Sequence, residues 1–381
     1  MLINSRFLPI IGGGETYTLE LMRYLSDKGN EVHLVTQERG FGRDNWGACK
    51  IHYVEGFDDD DLHIQKVMPA LRRILDQVNP DLVHVHNIMP YFVYSSIVDE
   101  GEFPTVLTIH NTPHTPHRLF GGFRDYKSER LFVRQLLGNK KYDRLVVGSK
   151  YYLDSYARVL PEIQQKAEVA RYFPPSMTAG PCSAKVVDTS KNETRLLFPS
   201  RILRRKGIEE CLTALSKLPE RFILSLPSFV HTEDPSYKAT IERKIHELGI
   251  RNRLRIPSEI TTPMMMKNYY RDADIVLIPS HYEGFGIVAV EAMSWGVPVI
   301  ASGAGGLSEI VVHGKNGVIV EPESVTGLVE AINLIASDKV LAQKLTEGGI
   351  CTVRDTFSLE KHMEQIESIY KGCYNNHQEM R

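Results

Sequence analysis

The tightest constraint on what this chain can fold into is its alternation of short apolar runs with glycine- or proline-ended helical stretches, clearest between Asp274 and Val320. DIVLIP is a strand fit for burial on both faces, since nothing after its first residue is polar. A helical stretch from Ile287 to about Ser294 follows and is stopped by Gly296 and Pro298. VPVIA is the next strand, and GVIV follows a glycine-rich turn. Strands that take turns with helices point to layered α/β architecture.

The same rhythm runs through the chain. A strand is expected over Leu2–Phe7, then GGGE, a helix from about Thr16 to Lys28 and the strand EVHLVTQ. A helix over Leu62–Val78, the strands DLVHVHN, TVLTIHN and RLVVGS, and a helix over Tyr151–Val159 complete the first series. From about Phe173 to Lys191 the periodicity gives way to Pro, Ser, Thr and Gly, as in a linker. TRLLFPS then opens a second series with RFILSLPS, RLRIP, ADIVLIPS, VPVIAS and GVIVEP. Two such series predict an α/β protein of two facing Rossmann-like doubly wound domains with an inter-domain cleft. The expected division is residues 1–172, a linker over 173–192, residues 193–357, and a closing helical segment over 358–381.

The 381 residues suffice for two cores, and a net charge of −2 argues against general nucleic-acid binding. Five scattered cysteines without a CxxC pair read as reduced thiols. With no apolar run near the ~20 residues that span a bilayer, and no signal-peptide pattern at the start, a cytoplasmic protein is expected.

Chemistry concentrates where strands end. Glu283-Gly284-Phe285-Gly286 lies between a strand and a helix, and Glu291 comes eight positions after Glu283. With a helix start near Gly286, Glu291 lies roughly 7–8 Å along it. Two carboxylates thus bracket a helix N-terminus whose free N–H groups attract an anion. Carboxylates accept hydrogen bonds from hydroxyls. A ligand with a diphosphate in the middle and a hydroxyl-rich sugar at each end, a nucleotide-sugar, satisfies both. Upstream, Arg201, Arg204, Arg205 and Lys206 place four cations in six residues after a strand, which reads as a phosphate clamp or as a solvated basic loop. Arg204 and Arg205 are expected to face solvent. His110 ends a strand, where open α/β sheets place ligands.

Glu-x7-Glu with Gly-Phe-Gly, followed by Glu-Ala-Met, Gly-x-Pro-Val-Ile-Ala and Gly-Gly-x-x-Glu, resembles the glycosyltransferase group 1 enzymes (glycosyltransferase family four), retaining transferases of the GT-B fold. The resemblance implies that Arg201 and Lys206 hold the donor diphosphate, with Ser200 standing where the family carries glycine. It implies that Glu283 holds donor-sugar hydroxyls and Glu291 ribose hydroxyls, while Gly284, Phe285, Gly286 and Ile287 form the helix entry. His110 matches the family histidine beside the donor sugar, and Gly13 and Gly14 match a turn facing donor phosphates and acceptor. RLRIPSEITTPMMM matches the strand and loop that flank the nucleobase. The closing helix is expected to cross back onto the first domain. The implied reaction moves a hexosyl or N-acetylhexosaminyl group, from a UDP-sugar by preference, to an unidentified hydroxyl acceptor in cell-surface glycan or glycolipid synthesis. Neither cofactor nor metal is expected. A small acceptor such as an aminocyclitol, a nucleotide-sugar epimerase of the same fold, and a non-catalytic binding protein are the alternatives.

Other features read more plainly. GGGETY lacks the third glycine of a dinucleotide fingerprint, Tyr17 taking its place. Asp58–Asp61 suits a helix N-terminus better than a metal. His84 and His86 share one side of a strand, and His110, His114 and His117 follow the next, without the further ligands a metal needs. Residues 118–144 carry eight Lys/Arg against three Asp/Glu with interleaved aromatics. That composition fits contact with anionic lipid at the inner membrane face, or a solvated helix whose apolar side is core.

Overall fold

A computed structural model of the chain describes residues 1–5, 13–37, 45–46, 49–57, 62–110, 126–175, 179–183, 192–229, 234–257 and 263–380. The Asp58–Asp61 run, His114, His117, the first part of the basic segment and most of the loop after RLRIP lie outside the described residues. The chain forms two compact units, Met1–Arg171 with Glu360–Arg381, and Tyr172–Leu359.

The first unit holds strands β1 (Leu2–Ile3), β2 (His33–Gln37), β3 (Asn45–Trp46), β4 (Cys49–Val54), β5 (Val83–His86), β6 (Thr105–Ile109), β7 (Arg144–Val147) and β8 (Ala167–Val169). Their order is β3-β4-β2-β1-β5-β6-β7-β8, all neighbours parallel except β3 with β4. The helices are α1 (Gly13–Asp27), α2 (Ile64–Val78), α3 (Ile88–Ile97), α4 (Tyr126–Gly138) and α5 (Lys150–Ala157). Val83, Val85, Leu107, Ile109, Leu145 and Val147 are fully buried, as expected for central parallel strands covered on both faces.

In the second unit, β9 (Thr194–Leu197), β10 (Phe222–Ser225), β11 (Leu254–Arg255), β12 (Ile275–Ile278), β13 (Val299–Ser302) and β14 (Val318–Val320) form a parallel sheet in the order β11-β10-β9-β12-β13-β14. Its helices are α6 (Ile208–Lys217), α7 (Pro235–Glu247), α8 (Pro263–Asp272), α9 (Ile287–Ser294), α10 (Val325–Ser337) and α11 (Lys339–Thr356). Leu196, Phe198, Leu212, Leu224, Leu277 and Ile300 stand in its core. In both sheets the first strand is central, and the winding reverses beside it: between β1 and β5, and between β9 and β12. Such switch points are where doubly wound sheets open a crevice at their strand ends.

Several expectations change. Helix α1 starts at Gly13, three residues before Thr16, so Gly13 and Gly14 are helical and not a turn ahead of the helix. The expected linker is not a free tether where it is described: Phe173 is buried, and the Gly180 N–H donates to Ser294 Oγ (2.8 Å) and the Cys182 N–H to the Ser294 carbonyl (2.9 Å). That carbonyl ends α9 and needs an outside donor. A side chain at Gly180 would lie 2.4 Å from the same carbonyl oxygen, so only glycine fits. The stretch accordingly belongs to the second unit. The last helix, α12 (Leu359–Met380), packs in the first unit through His362, Gln365 and Tyr370.

Candidate active site

In the second unit the chain leaves β9 through Phe198-Pro199-Ser200-Arg201, makes a 3₁₀ turn over Arg204–Lys206 and enters α6. Gly207 joins turn to helix at φ 74°, ψ 31°. A Cβ there would lie 2.1 Å from the Pro279 carbonyl oxygen, so glycine is needed for its conformation and for close approach. The loop after β12 comes alongside: the His281 N–H donates to the Arg205 carbonyl (2.8 Å). A third segment closes the group, because the Gly306 N–H donates to the Glu283 carbonyl (2.8 Å) and a Cβ on Gly306 would lie 2.0 Å from the Gly284 oxygen.

These locked backbones bring Lys206 and Glu283 together. Lys206 Nζ and Glu283 Oε2 form an ion pair, each side chain only 12% exposed, and Ser280 Oγ donates to the same oxygen (3.4 Å). Burial raises the Glu283 carboxyl, but Lys206 and Arg205 outweigh it and hold it below its ordinary value. Burial lowers the Lys206 ammonium, with Glu283 opposing. Ser200 Oγ, Arg205 Nε and Glu210 Oε2 are buried with no hydrogen-bond partner among the described residues. Such atoms are uncommon in finished interiors, and here they fall within the loop after β9 and the first turn of α6.

Arg201 is exposed at the head of this loop. Arg204 lies over the Tyr237 ring, 4.4 Å from its centroid. Arg205 does not face solvent as expected: its Nε is buried and Nη1 reaches the Tyr282 carbonyl (3.4 Å), because the His281–Arg205 bond draws its backbone onto the β12 loop.

Gly286 caps α9 at φ 102°, and Ile287 begins that helix. Glu291 is buried and accepts the Tyr270 O–H at Oε2 (2.7 Å). Burial, then that carboxylate, raises the Tyr270 phenol. The Phe285 ring turns into the core edge-on to Tyr172 and Phe357, at 5.1 and 5.9 Å between centroids, so only its backbone remains for a ligand at the helix entry. Tyr270 was not legible beforehand, since a tyrosine in an amphipathic helix reads as packing.

In the first unit, imidazoles stand at the ends of β5 and β6, beside the buried Asn4 and Ser5 that follow β1. His110 follows β6, with its N–H donating to Asn87 Oδ1 (3.0 Å) and its carbonyl accepting from the Tyr152 O–H (2.8 Å). Its Nε2 lies 3.2 Å from His86 Nδ1, the two rings stacked with 5.5 Å between centroids. Tyr17 packs against both rings and, from the other side, against His362. Since His362 Nδ1–H donates to the Arg171 carbonyl (2.9 Å), its Nε2 accepts from the Tyr17 O–H (3.0 Å). His84 joins Tyr370 to Thr108, 2.6 Å on each side. A Cβ on Gly14 would lie 3.7 Å from His110 Cδ2, at ordinary contact distance, so α1 runs beside that ring without requiring glycine there. Burial first, then neighbouring imidazoles, lowers His84, His86 and His110, the last to about 3, and burial lowers His362 to about 4. All four are neutral at pH 7. No cluster among the described residues has the makings of a metal site, and no described helix is long and apolar enough to cross a membrane.

Residues 183–350 match the family model for glycosyl transferases group 1, and residues 11–170 match that for glycosyltransferase family 4. D-inositol 3-phosphate glycosyltransferase of Corynebacterium diphtheriae is 28% identical, over 94% of this chain and 89% of its own. Among solved structures, sucrose-phosphate synthase from Thermosynechococcus elongatus aligns with a TM-score of 0.82 at 22% identity, covering 98% of each chain. The Anabaena protein HepE in complex with UDP-glucose gives 0.76 at 18% identity, covering 97% of this chain and 98% of its own. At those identities the solved structures establish the fold.

Proposed function

The chain belongs to the group 1 glycosyltransferases, and from that premise we propose that it transfers a hexosyl or N-acetylhexosaminyl group from a UDP-sugar to a hydroxyl acceptor with retention. As a hexosyltransferase of the GT-B fold it uses a nucleotide-sugar; the nucleobase, the stereochemistry and the roles of single residues are our reading. The observation that carries it is the meeting of Lys206, Glu283 and the entry to α9 at the switch point of the second sheet. The UDP-glucose complex of the Anabaena neighbour supports the choice of donor.

In the reaction the bond from the anomeric carbon to the donor phosphate oxygen breaks and a bond to the acceptor oxygen forms. The acceptor's proton passes to the departing phosphate oxygen on the same face. Arg201 and Lys206 stabilise the charge growing on the diphosphate, a role for which fixed cations at a partly dry site are suited. The entry to α9 adds ~0.3–2 kcal/mol at most, so the two side chains dominate. Glu283 accepts hydrogen bonds from the donor sugar. Glu291, positioned by the Tyr270 O–H, accepts from the ribose hydroxyls. His110, uncharged and fixed from both sides, orients the sugar by hydrogen bonding.

For the acceptor, a cell-surface glycan or glycolipid is one reading. Helix α4 bears on it: Val133, Leu136 and Leu137 are buried, while Leu131 is 55% exposed and remains for contact with anionic lipid. A small phosphorylated cyclitol is the second reading, favoured by the D-inositol 3-phosphate relative. Incubation with UDP-, GDP- and ADP-sugars, with and without lipid-linked glycan or inositol phosphate, separates these readings. Nucleoside diphosphate released only with acceptor is the expected result. An isomerised donor would replace transfer by epimerisation, and binding without turnover would leave a sensor.

A further inference from the structure

The two residues assigned to opposite parts of the donor, Lys206 to phosphate and Glu283 to sugar, are bonded to each other. Their backbones are tied by the His281–Arg205 and Gly306–Glu283 hydrogen bonds and by the approach of Gly207 to Pro279, so the pair parts only by side-chain rotation. A diphosphate arriving at Lys206 therefore competes with Glu283 for one ammonium group. Separation leaves a largely buried carboxylate short of its cation, which is costly unless hydroxyl donors replace it. A complete nucleotide-sugar brings both replacements: phosphate for Lys206 and sugar hydroxyls for Glu283. A spent nucleoside diphosphate brings only the first.

We infer that the Lys206–Glu283 pair lets the enzyme tell loaded donor from spent nucleotide, Glu283 acting as an internal anion that reclaims Lys206 once the sugar has gone. This rests on the nucleotide-sugar reading above. The pair then works against product inhibition: closing it displaces the diphosphate, and only a donor still carrying its sugar keeps it open. Ser280, on the same carboxylate oxygen, helps to hold the closed state.

Titration calorimetry without acceptor tests this, using UDP, inorganic pyrophosphate and UDP-glucose, or the GDP or ADP pair if turnover selects it. The wild-type chain is expected to bind UDP-glucose more tightly than UDP. Glu283→Gln keeps shape and hydrogen bonding but removes the charge. It is expected to bind UDP and pyrophosphate at least tenfold more tightly, with UDP-glucose changed less than threefold. Glu283→Asp, whose carboxylate falls short of Lys206, moves UDP affinity the same way by a smaller factor and serves if the Gln chain is unstable. UDP binding unchanged or weaker in both variants, with wild-type transfer intact, overturns the inference and leaves the function standing. Failure of every nucleotide-sugar to bind or turn over overturns both.

Discussion

At the ends of β5 and β6 in the first sheet stand buried histidines, with Tyr17 beside them, held without charge; at the ends of β9 and β12 in the second an ammonium and a carboxylate face one another. The arrangement is the same in both places, a switch point between parallel strands beside the first strand of the sheet. A site that must meet a diphosphate needs fixed positive charge, and in a partly dry setting that charge is kept near a counter-charge until ligand arrives. A site that orients an uncharged sugar needs donors and acceptors at set positions, and a neutral imidazole supplies one of each. The two regions should therefore fail differently when perturbed.

The largest effect is expected in the charged region. Lys206→Ala should lower kcat/KM about a hundred- to a thousandfold. It should also destabilise the second unit, because Glu283 is left largely buried without its cation; for fully buried pairs such a loss costs about 3–5 kcal/mol. The double change Lys206→Met, Glu283→Leu should recover most of that stability, read by thermal melting, and none of the activity. Equal stability of the single and double variants would mean that the pair is not held as described.

The next effect is on pH. Histidines whose folded values are depressed contribute stability in full above their unfolded value near 6.5, and lose it progressively as pH falls toward the folded values, about 4 for His362 and about 3 for His110. His362 alone should remove on the order of 3 kcal/mol by pH 4. The Glu283 carboxyl is also depressed, but its stabilisation is complete above the ordinary carboxylate range and fades only below it. Melting between pH 8 and 4 should therefore loosen the first unit before the ion pair, and His362→Gln should flatten that dependence. The same shift keeps His110 from adding an ionisation to the pH–rate profile between pH 5 and 8.

Much of this frame is legible in the residues. DIVLIP, VPVIA and TVLTI declare themselves as strands because parallel sheets covered on both faces select unbroken apolar runs. Strand β4, CKIHYV, does not, since its middle is only partly buried and carries Lys50 and His52. Strand β8 is three half-buried residues at a sheet edge and has no period to read. At the site, single residues can be nominated from spacing and resemblance, but partners cannot. Lys206 and Glu283 are 77 positions apart, Tyr270 reaches Glu291 from another helix, and His362 meets Tyr17 across 345 positions. Arg205 looked like a solvent-facing cation because nothing local reveals that its loop is hydrogen-bonded to the end of β12.

The smallest test belongs to the uncharged region. Tyr17→Phe removes the hydroxyl that donates to His362 while keeping the ring beside His86 and His110. A loss of about 1 kcal/mol in thermal stability is expected, with a modest fall in turnover. A fall as large as that of Lys206→Ala would erase the contrast between the two regions.

Helix α12 closes the first unit although it is made after the second, and that order matters while the protein is being synthesised. The second unit is one continuous piece of chain and has all its residues once Leu359 has left the ribosome. The first unit, begun much earlier, waits for His362, Gln365 and Tyr370 before Tyr17, the Val169 carbonyl and His84 find their partners. During that interval the nascent protein carries an unsealed histidine pocket, a surface on which chaperones could act.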